Sequence, residues 1–212
     1  MSRQQTDNSE IRLKTKIRID VAKYGDVVLD CFHGLGRLWD SVKPIKAVTV
    51  YGIEKEKNKG NGVWGDNVKF LKSMDLSKYD IIDLDSYGIP FPQLQEIFNN
   101  KTLRNCTIIY TFIQTMQGTV NKKLLENYGI SNIMFQKVPT IFRKHGHSAF
   151  LNYLNQNGVS EVFEHHIIKG SSDKHYGFFK IKGISAPNKK EGTNEHNLHA
   201  KRKGKRVQPT IG

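Results

Sequence analysis

Val27-Val28-Leu29-Asp30-Cys31-Phe32-His33-Gly34-Leu35-Gly36-Arg37-Leu38-Trp39-Asp40-Ser41-Val42 sets an unbroken apolar run before a carboxylate, then two glycines, then a helix-compatible stretch. Consecutive apolar residues without alternation are what a strand buried on both faces needs. Gly34 and Gly36 let the following turn take positive φ and bring backbone close to a ligand. In doubly wound sheets the crevice at such a strand end receives the ligand. A tight strand-to-helix turn that binds nothing has the same pattern, so the turn alone leaves both readings open.

Working outward, short apolar runs alternate with helical stretches. Strands are expected over 26–30, 47–53, 62–64, 79–84 and 106–112, and helices over 36–42, 67–74, 93–99 and 121–128. An earlier helix over 10–24 is closed by Gly25. Beyond Lys144, the residues Phe150, Leu151 and Leu154 stand at helical spacing. Strands over 161–169 and 177–182 follow, joined by the polar turn Gly170-Ser171-Ser172-Asp173. Alternation finished by a hairpin predicts an α/β fold: a doubly wound, mostly parallel seven-stranded sheet with an antiparallel C-terminal hairpin. One such domain over 10–184 fits the length of 212 residues. Residues 1–9 read as a flexible end, and 185–212, poor in core-forming residues, as a basic disordered tail.

The other strand ends carry acids. Glu54 follows Val48-Thr49-Val50-Tyr51-Gly52-Ile53 at the distance where a carboxylate accepts from both hydroxyls of a ribose, although it also opens a charged Glu-Lys-Glu-Lys stretch. Asp66 suits bonding to an adenine amino group or capping the next helix. In Tyr79-Asp80-Ile81-Ile82-Asp83-Leu84-Asp85-Ser86-Tyr87-Gly88-Ile89-Pro90, Asp83 and Asp85 emerge on one face. An exocyclic base amine, its lone pair delocalised into the ring, needs orientation and a proton acceptor to be alkylated, and Asp85 and Tyr87 are of the right types. Two close carboxylates repel, so one of them is expected to titrate high. A polar turn stopped by Pro90, with Asp85 capping local amides, ranks second to that reading at this sheet position.

The segments Asp30-Cys31-Phe32-His33-Gly34-Leu35-Gly36, Tyr51-Gly52-Ile53-Glu54 and Asp83-Leu84-Asp85-Ser86-Tyr87-Gly88-Ile89-Pro90-Phe91-Pro92 together resemble class I S-adenosylmethionine-dependent methyltransferases over roughly residues 26–118. The last segment resembles the Asp-Pro-Tyr/Phe-Gly motif of tRNA guanine-N2 dimethyltransferases, with Ser86 in place of proline. It also resembles a degenerate form of the Asp-Pro-Pro-Tyr-type motif by which DNA amino-methyltransferases hold a flipped base. The resemblance implies S-adenosylmethionine as cofactor, contacted by Asp30, Phe32, Gly34, Gly36, Glu54 and Asp66. It further implies catalytic roles for Asp85 and Tyr87, and Asp83, the close carboxylate on the same face, completes the candidate catalytic group.

The net charge of +13 favours an anionic partner such as nucleic acid. Arg143 and Lys144, and in the tail Lys201, Arg202, Lys203, Lys205 and Arg206, are the expected phosphate contacts. No apolar run is long enough to cross a bilayer, and a soluble, cytoplasmic protein without a membrane partner is expected. Cys31 and Cys106 adjoin apolar runs and read as reduced, partly buried thiols. His145, His147, His165, His166 and His175 show no Cys-pair or His-Glu-x-x-His spacing, so no metal is expected. The combined expectation is a methyltransferase acting on an exocyclic base amine of RNA, with DNA as the next substrate. A small-molecule or protein methyltransferase, or a nucleic-acid-binding module with a vestigial donor site, remains open.

Overall fold

The structure, a computed structural model, describes residues 10–57, 59–114, 126, 129–138, 140–169 and 172–182. The elements run α1 (Ile11–Val21), β1 (Val27–Asp30), α2 (Arg37–Lys46), β2 (Thr49–Glu54), β3 (Val63–Trp64), α3 (Asn67–Ser73), a 3-10 turn (Leu76–Lys78), β4 (Ile81–Leu84), α4 (Phe91–Asn99), β5 (Cys106–Gln114), α5 (Asn132–Lys137), α6 (Ile141–Gln156), β6 (Val162–Lys169) and β7 (Ser172–Ile181). They build one seven-stranded sheet in the order β3-β2-β1-β4-β5-β7-β6. Strands β3 to β5 pair in parallel, while β7 lies antiparallel between β5 and β6. The expected architecture is therefore the observed one, including the terminal hairpin.

Alternation along each strand divides the core in two. Val28, Ile81 and Ile109 face α1 and α2 and pack with Ile17, Trp39 and Val42. Leu29, Ile82, Leu84, Ile108, Tyr110 and Phe112 face the opposite way and pack with Leu71, Leu94, Phe150 and Leu154. A strand covered on both faces needs apolar residues at every position, which is why β1, β4 and β5 read as continuous runs. Both cysteines are buried and free, Cys31 in the turn after β1 and Cys106 at the start of β5. Burial pushes the Cys106 thiol up to about 12, as befits a packing residue.

Several boundaries differ from expectation, and α1 closes at Val21 through Ala22 N donating to Arg18 O at 2.9 Å, short of Gly25. Helix α2 continues past Val42 to Lys46, and its last turn closes through Ala47 N donating to Lys43 O at 2.9 Å. Strand β7 begins at Ser172, five residues early, because β5 runs on to Gln114 and the longer strand pairs with it as far as Asp173. Helix α5 was not anticipated; its local signal is Ser131, whose hydroxyl accepts from Met134 N at 3.2 Å as an N-cap. The expected helix over 121–128, the turn residues Gly170 and Ser171, the N-terminal residues 1–9 and the basic tail lie outside the described residues. No helix among the described residues is long and apolar enough to cross a membrane.

Candidate functional site

The C-terminal ends of β1, β2 and β4 open onto a cleft of about 370 Å³, lined by Asp30, Phe32, His33, Gly34, Glu54, Asp85, Ser86 and Tyr87 and closed from one side by Ile11, Lys14 and Arg18 of α1. A second lobe of about 360 Å³ lies beyond Phe32 and Glu54, which line both, and is bordered by Asp66, Asn67 and Gln93. Two lobes meeting at a carboxylate and an aromatic ring suit an elongated ligand with a polar middle.

Asp30 orders the turn after β1. Its carboxylate accepts from Phe32 N at 3.2 Å and pairs with His33 Nδ1 at 3.0 Å. That hydrogen bond, outweighing burial, holds the His33 imidazole above its usual pKa. Gly34 N donates to Glu54 Oε2 at 2.8 Å and Glu56 N to Oε1 at 3.0 Å, so the carboxylate at the end of β2 is fixed toward the glycine turn. Gly34 and Gly36 both take positive φ, 53° and 73°. A Cβ on Gly34 would meet nothing nearer than 3.9 Å, so this glycine is required by its backbone conformation and not by crowding.

Gly52 is required by crowding. A Cβ there would lie 2.2 Å from Cγ of His33. Gly52→Ala is therefore expected to eject the imidazole, break its bond to Asp30 and lower stability by about 1–3 kcal/mol, the usual cost of overpacking. Thermal melts read this directly, and His33→Ala in the same chain should recover most of the loss. A Gly52→Ala protein melting at the wild-type temperature would show that the ring is not held as described.

Asp66 caps α3 by accepting from Val68 N at 2.9 Å, the capping role expected of it, and also borders the second lobe. Asn67 and Gln93 were not singled out in the sequence. Asn67 Nδ2 donates to Cys31 O at 2.7 Å and Gln93 Nε2 to Asn67 Oδ1 at 2.9 Å, which fixes the floor of that lobe. Their relation joins the first turn of α3 to α4, and no local spacing signals it.

Asp83 and Asp85 do share a face, and α1 covers them. Residues 14 and 18, one helical turn apart, point the same way. Lys14 Nζ lies 2.9 Å from Asp85 Oδ1, and Arg18 Nη2 lies 2.7 Å from Asp83 Oδ2 and 3.3 Å from Asp85 Oδ2. Trp39 Nε1 donates to Asp83 Oδ2 at 2.7 Å, and Thr111 Oγ1 to Asp85 Oδ1 at 2.6 Å. Asp83 is fully buried beneath Arg18 and takes no part in lining the cleft. Burial, aided by Asp30 and Asp85, lifts its carboxyl to about 7 against the pull of Arg18. For Asp85 burial acts the same way, but Arg18 and Lys14 together outweigh it and hold the carboxyl below its usual range. The raised member of the pair is thus Asp83, and Asp85 is an anion fully engaged by cations, poorly suited to accept a proton. Ser86 Oγ, buried at the cleft wall, has no hydrogen-bond partner among the described residues, and Tyr87 is 64% exposed at the mouth.

Lys144 is exposed on α6. The side chain of Arg143 and the residues Lys201, Arg202, Lys203, Lys205 and Arg206 lie outside the described residues. The histidines that showed no metal-ligand spacing are partly gathered by the fold, with His147, His175 and Glu164 in one cluster.

No protein-family model matches the chain, and no curated protein matches it by sequence. Solved structures with the same fold include TYW2 of M. jannaschii in complex with AdoMet, 15% identical with a TM-score of 0.54 over 85% of this chain and 80% of that one. They include P. horikoshii TYW2 with MeSAdo, 16% identical with a TM-score of 0.51 over 86% and 67%. A SAM-dependent methyltransferase from Archaeoglobus fulgidus is 14% identical with a TM-score of 0.51 over 80% and 93%. The chain has the Rossmann-like methyltransferase fold that these proteins share.

Proposed function

We propose that the protein is an S-adenosylmethionine-dependent methyltransferase acting on an exocyclic amine of a nucleic-acid base, with RNA ahead of DNA as substrate. The observation that carries this reading is the cleft itself, which joins the glycine turn, Glu54 and the exposed Tyr87 at the carboxyl ends of β1, β2 and β4. The residues present fit the donor. Glu54 stands where ribose hydroxyls would be held, Asp66 and Phe32 border the lobe that takes adenine, and the Cβ-less Gly34 leaves room for close approach. Bound there, the donor supplies an electrophilic methyl group on a sulfonium.

The chain's own part is positioning and electrostatics. Tyr87 offers a ring on which a base stacks at the cleft mouth, and Ser86 Oγ offers a hydroxyl to orient the amine. Asp85, held anionic by Lys14 and Arg18, anchors those two cations of α1 at the cleft wall beside Ser86 and Tyr87, and the amine's proton leaves to solvent through the open mouth. Asp83 acts at one remove, by seating Arg18. Lys144, with Arg143 and the basic tail residues 201–206, supplies phosphate contacts.

Titration calorimetry with S-adenosylmethionine and S-adenosylhomocysteine, followed by radiolabelled methyl transfer onto tRNA, rRNA and DNA, tests the proposal. Donor binding is expected together with transfer that falls steeply with salt. Tyr87→Ala should reduce transfer roughly 10- to 100-fold, equivalent to about 1–3 kcal/mol of lost base stacking, with donor affinity unchanged. A folded sample that binds no donor would sink the methyltransferase reading. Salt-insensitive transfer to a small molecule or protein would sink the nucleic-acid reading alone.

A further inference from the structure

Away from the cleft, α6, β6 and β7 bring three ligand-type side chains to one point on the face opposite α1. Glu164 is paired across the hairpin with Gly177 and His175 with His166, so Glu164 and His175 are diagonal neighbours on one face. His147 reaches them from α6. One nitrogen or oxygen of each of the three lies within 4.8 Å of the others. Gly177 makes the space: a Cβ there would sit 2.8 Å from the Tyr110 hydroxyl and 2.9 Å from Glu164 Cγ.

The bonding within the cluster is uneven. Glu164 Oε1 accepts from the Tyr110 hydroxyl and lies 2.8 Å from His147 Nε2. Glu164 Oε2 lies 3.7 Å from His175 Nδ1, beyond hydrogen-bond distance, and among the described residues that buried nitrogen has no hydrogen-bond partner. An ordinary ion pair between His147 and Glu164 accounts for the first contact and leaves His175 Nδ1 without a hydrogen bond, its ring stacked on those of His147 and His166 and edge-on to Phe112.

We infer that His147, Glu164 and His175 form a binding site for a single transition-metal dication of the zinc or cobalt type. An ion between His147 Nε2, a Glu164 oxygen and His175 Nδ1 satisfies the stranded nitrogen. Two imidazoles and one carboxylate suit a borderline ion and not magnesium or calcium, which demand oxygen ligands. The fourth position falls to water or to the Tyr110 oxygen. The rings of His147 and His175 are stacked, 3.5 Å apart and 10° from parallel. Ligation turns them out of that stack, and His147, whose side chain is 21% exposed, is the one at the rim with room to move. The ion would tie α6 to the terminal hairpin. None of the three residues lines the cleft, so the site stands or falls independently of the proposed methyl transfer.

Tag-free full-length protein, stripped with chelator, is titrated with Zn²⁺ by calorimetry and with Co²⁺ by visible absorption. One equivalent is expected, with the strong d–d bands of four-coordinate cobalt and a higher melting temperature. Glu164→Gln and His175→Gln should each weaken binding by roughly 100-fold or more, since even loss of an outer-shell partner costs about 10- to 100-fold. Exposed His145 on the same helix serves as control, and His145→Ala should bind as wild type. Failure of the wild-type protein to bind a stoichiometric ion overturns the inference whether or not the variants fold. Binding that survives both Glu164→Gln and His175→Gln overturns it too, because other histidines then hold the ion.

Discussion

Arg18→Met will cost the fold about 3–5 kcal/mol, the usual penalty for removing one partner of a buried ion pair. The guanidinium is 2% exposed; its Nε donates to Asp83 Oδ2 at 2.8 Å, and its Nη2 lies 2.7 Å from the same oxygen and donates to Asp85 Oδ2 at 3.3 Å. Methionine fills a similar volume but leaves Asp83, fully buried, with Trp39 Nε1 as its remaining side-chain donor. Against a total stability of about 5–15 kcal/mol, and at roughly 2–4 °C per kcal/mol for a chain of this size, the melting temperature should fall by on the order of 10 °C. The loss depends on pH in a definite sense. Burial keeps the Asp83 carboxyl near 7 in the folded chain, against about 4 unfolded. Between those values the folded state binds more protons, and stability falls as pH rises through the window. Without Arg18 the carboxyl rises further, so the deficit should be larger at pH 8 than at pH 5, and Asp83→Asn should recover part of it. Thermal or urea unfolding at the two pH values measures both effects. A variant within about 2 °C of wild type at pH 8 would mean that the pair is solvated.

That network also marks where sequence reasoning reaches its limit. The turn from β1 into α2 was legible because its signals are local: an apolar run, a carboxylate, two glycines and a helix within sixteen residues. The sheet order followed from alternation of strands with helices and a terminal hairpin, since parallel neighbours need crossovers and a hairpin forces reversal. Glu54 and Asp66 could be placed because strand ends in such a sheet point to one crevice. Lys14 and Arg18 offered nothing of the kind. In the chain they look like two more charges on a solvated helix, and the carboxylates that Arg18 meets lie 65 and 67 positions away. Only the packing of α1 across the end of β4 shows that they are buried counter-ions. The same packing changes the reading of Asp85 from a proton acceptor to a fixed anion. His147, Glu164 and His175 escaped for the same reason, since their spacing along the chain reflects strand register and helix docking and no ligand motif.

Glu54→Ala should abolish most donor affinity while leaving the fold nearly intact, and this contrast separates a binding carboxylate from a structural one. Both oxygens of Glu54 already hold backbone amides, Gly34 N and Glu56 N, at the junction of the two lobes. Each carboxylate oxygen has more than one acceptor direction, so the same group can receive ribose hydroxyls without releasing the turn. Loss of two charge-assisted hydrogen bonds at about 1.5–3 kcal/mol each corresponds to roughly a 100-fold or greater fall in affinity for S-adenosylmethionine. Stability should drop by only about 1 kcal/mol, because the freed amides border the open cleft, where water can replace the carboxylate. Glu54→Gln keeps one acceptor oxygen and loses the charge, and should fall between, near 10-fold. The ordering wild type, Gln, Ala in calorimetric affinity, at nearly constant melting temperature, is expected if Glu54 faces the donor. Equal affinity in all three would mean that the carboxylate serves the turn alone and that the donor, if bound, lies elsewhere. A parallel collapse of melting temperature and affinity would mean that Gly34 N and Glu56 N depend on it to hold the loop, which would make Glu54 a positioning residue.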